Sequence, residues 1–197
     1  MPTELKVIRK SSFTAVPWKN GGGITHEAIR VPADGDAFLW RVSVAQIDSS
    51  GPFSDFAGYS RNMVLLRGQG LLLKFDNGEH RVLQRVGDTA AFDGAISTHC
   101  DLLDGPCVDL NFIVSKSIRA AARVVRLGET LTLQASPDTT LIFSIEAPIS
   151  LGSDAGKSVR LEPWDLAVVS HGTARLSRIE PGKLSPPSAV FFATISH

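Results

Sequence analysis

Short apolar runs recur along the chain, broken by Gly, Pro, Asp and Asn: FLWRVSVAQI, MVLLRGQGLLLKF, HRVLQRV, DTAAF, VDLNFIV, TLTLQA, TLIFSI, SVRL, DLAVV and AVFFATI. Runs of this length with turn residues between them predict strands packed as a sandwich or barrel, so the chain reads as all-β. Alternation is clearest in LWRVSVAQI, where Leu39, Arg41, Ser43 and Ala45 share one face and Trp40, Val42, Val44 and Gln46 share the other. One face of that strand therefore carries a guanidinium and a hydroxyl side by side. SKSIRAAARV is the one helical candidate, and it is too short to separate helix from strand or turn by period.

An approximate repeat runs through these strands. VLQRVGDTAAF from Val82 and VRLEPWDLAVV from Val159 each place Asp six residues after Val and Ala two later, and the same offset pairs VLLRG at Val64 with LIFSI at Leu141. Two similar strand modules in tandem account for it.

At 197 residues the chain buries a substantial core as one large or two small domains. Twenty basic residues balance twenty acidic ones, so no global field recruits nucleic acid or an anionic membrane. Cys100 and Cys107 stand outside any CxxC pattern and read as reduced thiols. MPTELKVIRKSSF has no apolar core of a signal peptide and no eighteen-residue apolar stretch follows, which predicts a cytoplasmic protein that does not span a membrane.

The chemistry concentrates in a few stretches. In PWKNGGGITHE, Gly21 to Gly23 lie between Lys19-Asn20 and Thr25 with Glu27, so backbone N–H groups, an ammonium and an amide converge on one small anion; the structural alternative is a plain glycine turn. No Gly-Lys-Ser/Thr follows, which excludes a phosphate loop. Arg41, in a strand otherwise apolar, needs a counter-charge such as Glu27 or Asp109, or else clamps a carboxylate in two-point fashion. Phe53 and Phe56 read as anchors of a loop, and Arg61 as either a surface residue or one reaching the barrel mouth. Asp109 and Asn111 share a face in CVDLNFIV, where they need partners such as Lys19 or Arg41, or a ligand. The five histidines form neither HxH nor HExxH, no serine sits in GxSxG, and nothing nearby activates either thiol.

PWKNGGGITHE, then WRVSVAQIDSSGPFSDFAGYSRNMVLLRGQGLLL, then LLDGPCVDLNFIV closely resemble, in that order, the HutD/Ves family of bacterial bicupin proteins. The resemblance runs from about Lys6 to Val114 and more loosely to the C-terminus, with VSKS departing where family members continue into a basic residue. It implies a bicupin spanning 1–197 with approximate halves 1–115 and 116–197, cytoplasmic, homodimeric and without cofactor or metal. The implied role is binding of a small carboxylate, urocanate or formylglutamate, to restrain histidine breakdown. The alternatives are a metal-free hydrolase or isomerase using Glu27 or Asp109 as base, a metal enzyme of the ordinary cupin type, and a stress-related role like that of Ves. The motif positions that carry ligand binding over are Lys19, Asn20, Gly22, Gly23, Thr25, Glu27, Arg41, Ser43, Arg61, Asp109 and Asn111.

Overall fold

The computed structural model describes residues 4–18, 23–35, 37–128, 130–134, 139–153, 158–170, 173–178 and 188–196. Its strands, in chain order, are β1 (Glu4–Ile8), β2 (Thr14–Pro17), β3 (Gly23–Val31), β4 (Trp40–Ile47), β5 (Gly51–Pro52), β6 (Tyr59–Arg67), β7 (Leu71–Phe75), β8 (His80–Leu83), β9 (Thr89–Asp93) and β10 (Thr98–Leu102). There follow β11 (Cys107–Ser115), β12 (Arg119–Leu127), β13 (Thr130–Gln134), β14 (Thr139–Ser144), β15 (Ile149–Ser153), β16 (Ser158–Leu161), β17 (Leu166–Ser170), β18 (Thr173–Arg178) and β19 (Ser188–Ser196). Among the described residues the helical content is one short 3-10 turn, Lys10–Ser12, so the all-β reading holds. The ambiguous SKSIRAAARV becomes strand: β12 pairs with β19 from Arg119↔Ser196 to Leu127↔Ser188, because a long neighbouring strand outweighs the local preference of Ala and Arg for helix.

The chain divides into two compact units, residues 13–118 and residues 1–12 with 119–197. In the first, a six-stranded sheet ordered β2-β3-β4-β11-β6-β9 and a four-stranded sheet ordered β5-β10-β7-β8 enclose a core that includes Met63, Leu65, Leu73, Leu83 and Cys107. In the second, the sheets run β1-β17-β14-β19-β12 and β13-β18-β15-β16 around Ile142, Leu151, Leu161, Val169 and Leu176. Adding eight to each label of β4-β11-β6-β9 and β5-β10-β7-β8 reproduces the second pair of orders, so an eight-strand module occurs twice with one topology.

The expected halves, 1–115 and 116–197, need one correction: residues 1–12 belong with the C-terminal unit. β1 adds to the edge of β17, from Glu4↔Ser170 to Ile8↔Leu166. Arg9 and Lys10 then converge on the buried Asp165, which accepts from Arg9 Nη1 at 2.6 Å and from the Lys10 and Glu162 amides at 2.9 and 3.0 Å.

The sequence repeat is a repeated turn. Asp88 accepts the Arg85 amide at 2.8 Å and returns its own N–H to the Arg85 carbonyl at 2.9 Å; Asp165 does the same with Glu162 at 3.0 Å in both directions. Gly87 donates to Leu65 and Trp164 to Ser144, at 2.8 and 2.7 Å, and these two residues share positive φ, 90° and 74°. Glycine meets that requirement freely, whereas Trp164 is the sole non-glycine with positive φ among the described residues. The turn fixes the register of the neighbouring strands: Met63 pairs with Ala90 as Ile142 pairs with Ala167. Val64 is thus equivalent to Phe143 rather than to Leu141, two residues from the sequence offset, because the chain between strand and turn is shorter in the second unit.

The β2–β3 hairpin closes through Trp18 N–H donating to Gly23 C=O at 2.9 Å. Gly23 is buried where a Cβ would strike the Gln46 carbonyl oxygen and lie 3.3 Å from the Trp18 ring, so the last of the three consecutive glycines is required by close strand approach. Gly23→Ala is expected to cost about 1–3 kcal/mol of stability in urea unfolding, whereas Gly51→Ala, which meets nothing within 4 Å, stays within about 0.5 kcal/mol. Asp165→Ala strands three donors and is expected to cost about 2–4 kcal/mol in the same measurement, more than Asp88→Ala; equal losses would show that the N-terminal tie adds nothing.

Candidate functional site

The first unit holds a cavity of about 620 Å³ whose wall is the inner face of β3, β4, β6 and β11 together with Val16, Pro17, Trp18 and the loop from Pro52 to Phe56. Antiparallel register decides which side chains meet there. Arg41 and Arg61 both pair with Ile113, Ser43 and Met63 with Asn111, and Ala45 and Leu65 with Asp109. The period of two then turns Arg41, Ser43, Arg61, Asp109 and Asn111 to one side, and all five line the cavity.

Arg61 is buried, with 6% exposure. Its guanidinium lies 5.0, 5.4 and 5.1 Å from the ring centroids of Phe53, Phe56 and Phe92. Nη2 donates to Asn111 Oδ1 at 2.8 Å, and Asn111 Nδ2 donates to Asp109 Oδ2 at 2.6 Å. Asn111 is therefore a spacer that links the cation to the carboxylate without letting them touch. Arg41 lies 5.3 Å from Phe38 and 5.1 Å from Phe56, with Glu27 at 4.0 Å as its counter-charge. Arg41 Nε, Arg61 Nε and Asp109 Oδ1 are buried without a hydrogen-bond partner.

Burial dominates the titration of all three groups. It holds Arg41 below the ordinary guanidinium value against the pull of Glu27, with Arg30 adding repulsion. It lowers Arg61 to about 10 although Asp109 attracts it, and raises Asp109 to about 7 although Arg61 and the Asn111 hydrogen bond favour the anion. The Cys100 thiol is pushed up to about 12 by burial and by the charge of Asp109, which removes it as a nucleophile.

The remaining sequence candidates divide. Thr25 lines the cavity and accepts from Trp18 Nε1 at 2.7 Å, while Ser43 contributes a buried hydroxyl. Glu27 reaches the cavity only through Arg41, and Gly23 belongs to the strand packing described above. Lys19, Asn20 and Gly22 lie outside the described residues. Of the partners expected for Asp109 and Asn111, Arg41 gives way to Arg61, which the register places beside β11 in the required orientation. Arg61 is no surface residue, and the anchoring role expected of Phe53 and Phe56 is incomplete, since they and Phe92 are the apolar walls of a cation site. Two phenylalanines three residues apart beside an arginine-led strand are the signal that points to such a site. Among the described residues, no three His, Cys, Asp or Glu side chains gather as metal ligands would.

The second unit supplies an internal comparison. By the shared register, Arg61, Asn111 and Asp109 correspond to Thr140, Phe192 and Val190. All three counterparts are buried, and Phe192 and Val190 belong to that unit's apolar core. The module folds without the polar set, so the set is not a demand of the fold.

Because the carboxyl of Asp109 is raised from 3.8 to about 7 on folding, its contribution to stability is fully present below about pH 4 and is lost as pH rises through about 7. Asp109→Asn removes this dependence: its stability relative to wild type is expected to be about 2–3 kcal/mol more favourable at pH 8 than at pH 5. Denaturant melts at the two pH values check this, and a difference that does not change with pH would refute it.

Comparison with known proteins agrees with this architecture. A protein from the hutC 3' region of Pseudomonas putida, described as uncharacterized and of 21.2 kDa, is 38% identical over 159 residues, covering 80% of this chain and 82% of the relative. The crystal structure of a conserved protein of unknown function from Pseudomonas aeruginosa PAO1 superimposes with a TM-score of 0.88 at 32% identity, over 98% of this chain and 100% of that one. HutD from Pseudomonas fluorescens SBW25, in a formate condition, gives 0.80 at 28% identity over the same shares. Oxalate decarboxylase OxdC of Bacillus subtilis shares the cupin fold alone, with a TM-score of 0.66 at 8% identity over 95% of this chain and 76% of that one. A HutD family model matches residues 10–185, and with that span covered the chain belongs to the HutD family.

Proposed function

We propose that the first unit is a metal-independent binding site for a small carboxylate metabolite, and that the protein acts as a binding or regulatory component of histidine breakdown. The carrying observation is the pair of guanidiniums on the cavity wall, Arg61 buried and Arg41 partly buried, each with an inaccessible and unpartnered Nε, in a module whose twin fills the matching positions of Arg61, Asn111 and Asp109 with Thr140, Phe192 and Val190. Maintaining two such cations is costly, and a planar carboxylate is the ligand that a guanidinium recognises through paired hydrogen bonds. Aromatic faces on Arg41 and Arg61 hold the cations in place before the ligand arrives, which lowers the ordering cost of binding. Thr25 and Ser43 supply neutral hydroxyls for the rest of the molecule. Lys19 and Asn20, next to Trp18 in the chain, are the further polar groups assigned to the ligand in this proposal. The histidine assignment draws on the relative encoded in the hutC 3' region and on the HutD name of the matching family.

The test is a thermal-shift titration with urocanate, formylglutamate, glutamate, formate and histidine, on wild type and Arg41→Ala. A ligand at a hundred times its Kd stabilises by about 2.7 kcal/mol, a readily resolved rise in melting temperature. The expected outcome is stabilisation by one of these carboxylates, with affinity in Arg41→Ala lower by about thirtyfold or more, the equivalent of roughly 2 kcal/mol. A folded wild type that responds to none of them sinks the assignment.

A further inference from the structure

Resting on that carboxylate-binding reading, we propose that the cavity takes up its carboxylate together with a proton, which resides on Asp109. Asp109 is completely buried on β11 and lines the same cavity as both arginines. Its only side-chain hydrogen bond among the described residues comes from Asn111, and Oδ1 has none. Arg61, the nearest attracting cation, is held off by Asn111, so Asp109 balances it through space rather than by contact.

Among the described residues, the titratable groups and ring faces on the strands around Asp109 are few. β6 contributes Arg61, and β4 contributes Arg41, already paired with Glu27 of β3. β10 contributes the Cys100 thiol and β11 the buried Cys107; Phe92 of β9 is apolar. With Glu27 offsetting Arg41, Arg61 is the one cation among the described residues that remains to balance Asp109. A carboxylate bound by Arg41 and Arg61 adds a third anion, beside Glu27 and Asp109, to these two cations in a poorly solvated cavity. Two carboxylates confined in this way cannot both stay ionised at little cost, and the usual resolution is that one keeps a proton. The ligand lies nearer the opening and ordinarily ionises near pH 4, whereas Asp109 already titrates at about 7, so the proton goes to Asp109. The proton comes from solvent buffer, which is left as its conjugate base; Asp109 becomes neutral, and the ligand becomes the counter-charge of Arg61. Asn111 Nδ2 keeps donating, now to the carbonyl oxygen of the neutral carboxyl.

Formate and N-formylglutamate suit the test because neither titrates between pH 6 and pH 8.5. The affinity of wild type for either is expected to level off below about pH 7 and to weaken above it, approaching tenfold per pH unit. Calorimetry at pH 8 in two buffers of different ionisation enthalpy should register a net uptake approaching one proton per carboxylate bound. Asp109→Asn, which keeps the shape and can still accept from Asn111, should bind with affinity independent of pH and release or take up no proton.

Each alternative result is decisive. Saturable carboxylate binding with flat affinity from pH 6 to pH 8.5 and no buffer dependence overturns the proton coupling while leaving the binding site intact. A pH slope that survives in Asp109→Asn overturns the assignment to Asp109. Absence of carboxylate binding at every pH overturns the underlying binding reading and this inference with it. The calorimetric measurement on wild type stands even if the variant fails to fold.

Discussion

A guanidinium inside a β-sandwich must lose its water, and the interior of the first unit is arranged around replacing that water for Arg61. No carboxylate among the described residues touches it. The replacement is assembled from three aromatic faces, one amide oxygen and a carboxylate kept at one remove. Each piece depends on register: a slip of one residue between β6 and β11 would send Asn111 to the opposite face and leave Arg61 with no acceptor. Burial outweighs attraction for both Arg61 and Asp109, so neither charge is fully compensated by the other.

The duplicated module separates what the fold needs from what the site needs. Both copies keep the strand order and the aspartate-closed turn, and both fill their cores with aliphatic side chains. They part at three inward positions on two strands. One copy has Arg61, Asn111 and Asp109; the other has Thr140, Phe192 and Val190. Architecture shared with an oxalate decarboxylase at 8% identity carries the same message, since a fold so widely compatible cannot specify a chemistry.

Much of this was legible in the sequence because it depends on periods of two. The alternation in WRVSVAQI placed Arg41 and Ser43 together, and the spacing of Asp109 and Asn111 placed them on one face, as the structure has it. What was not legible depends on strands far apart in the chain. Nothing local to Arg61 says that Asn111 will lie beside it, fifty residues on, or that Phe92 will close the third side. The role of Gly23 was hidden for the same reason, since the obstacle that requires glycine there is the backbone of β4. The repeat was visible through Asp88 and Asp165, yet its strand register was off by two because a length difference between apolar strands leaves no mark in their composition.

The route of the chain through its two units also bears on how it is made. Residues 13–118 form one uninterrupted unit and can complete every one of their ladders as soon as β11 has been synthesised. β1 is made earlier still, but its partner β17 begins at Leu166, so β1 waits while about 160 residues are added. At roughly 5–20 residues per second, that wait is on the order of 10–30 s, ample time for the intervening unit to fold. β1 thus acts as a latch that can shut only once β17 has been translated, and a chain cut short before Leu166 leaves that strand without its partner edge.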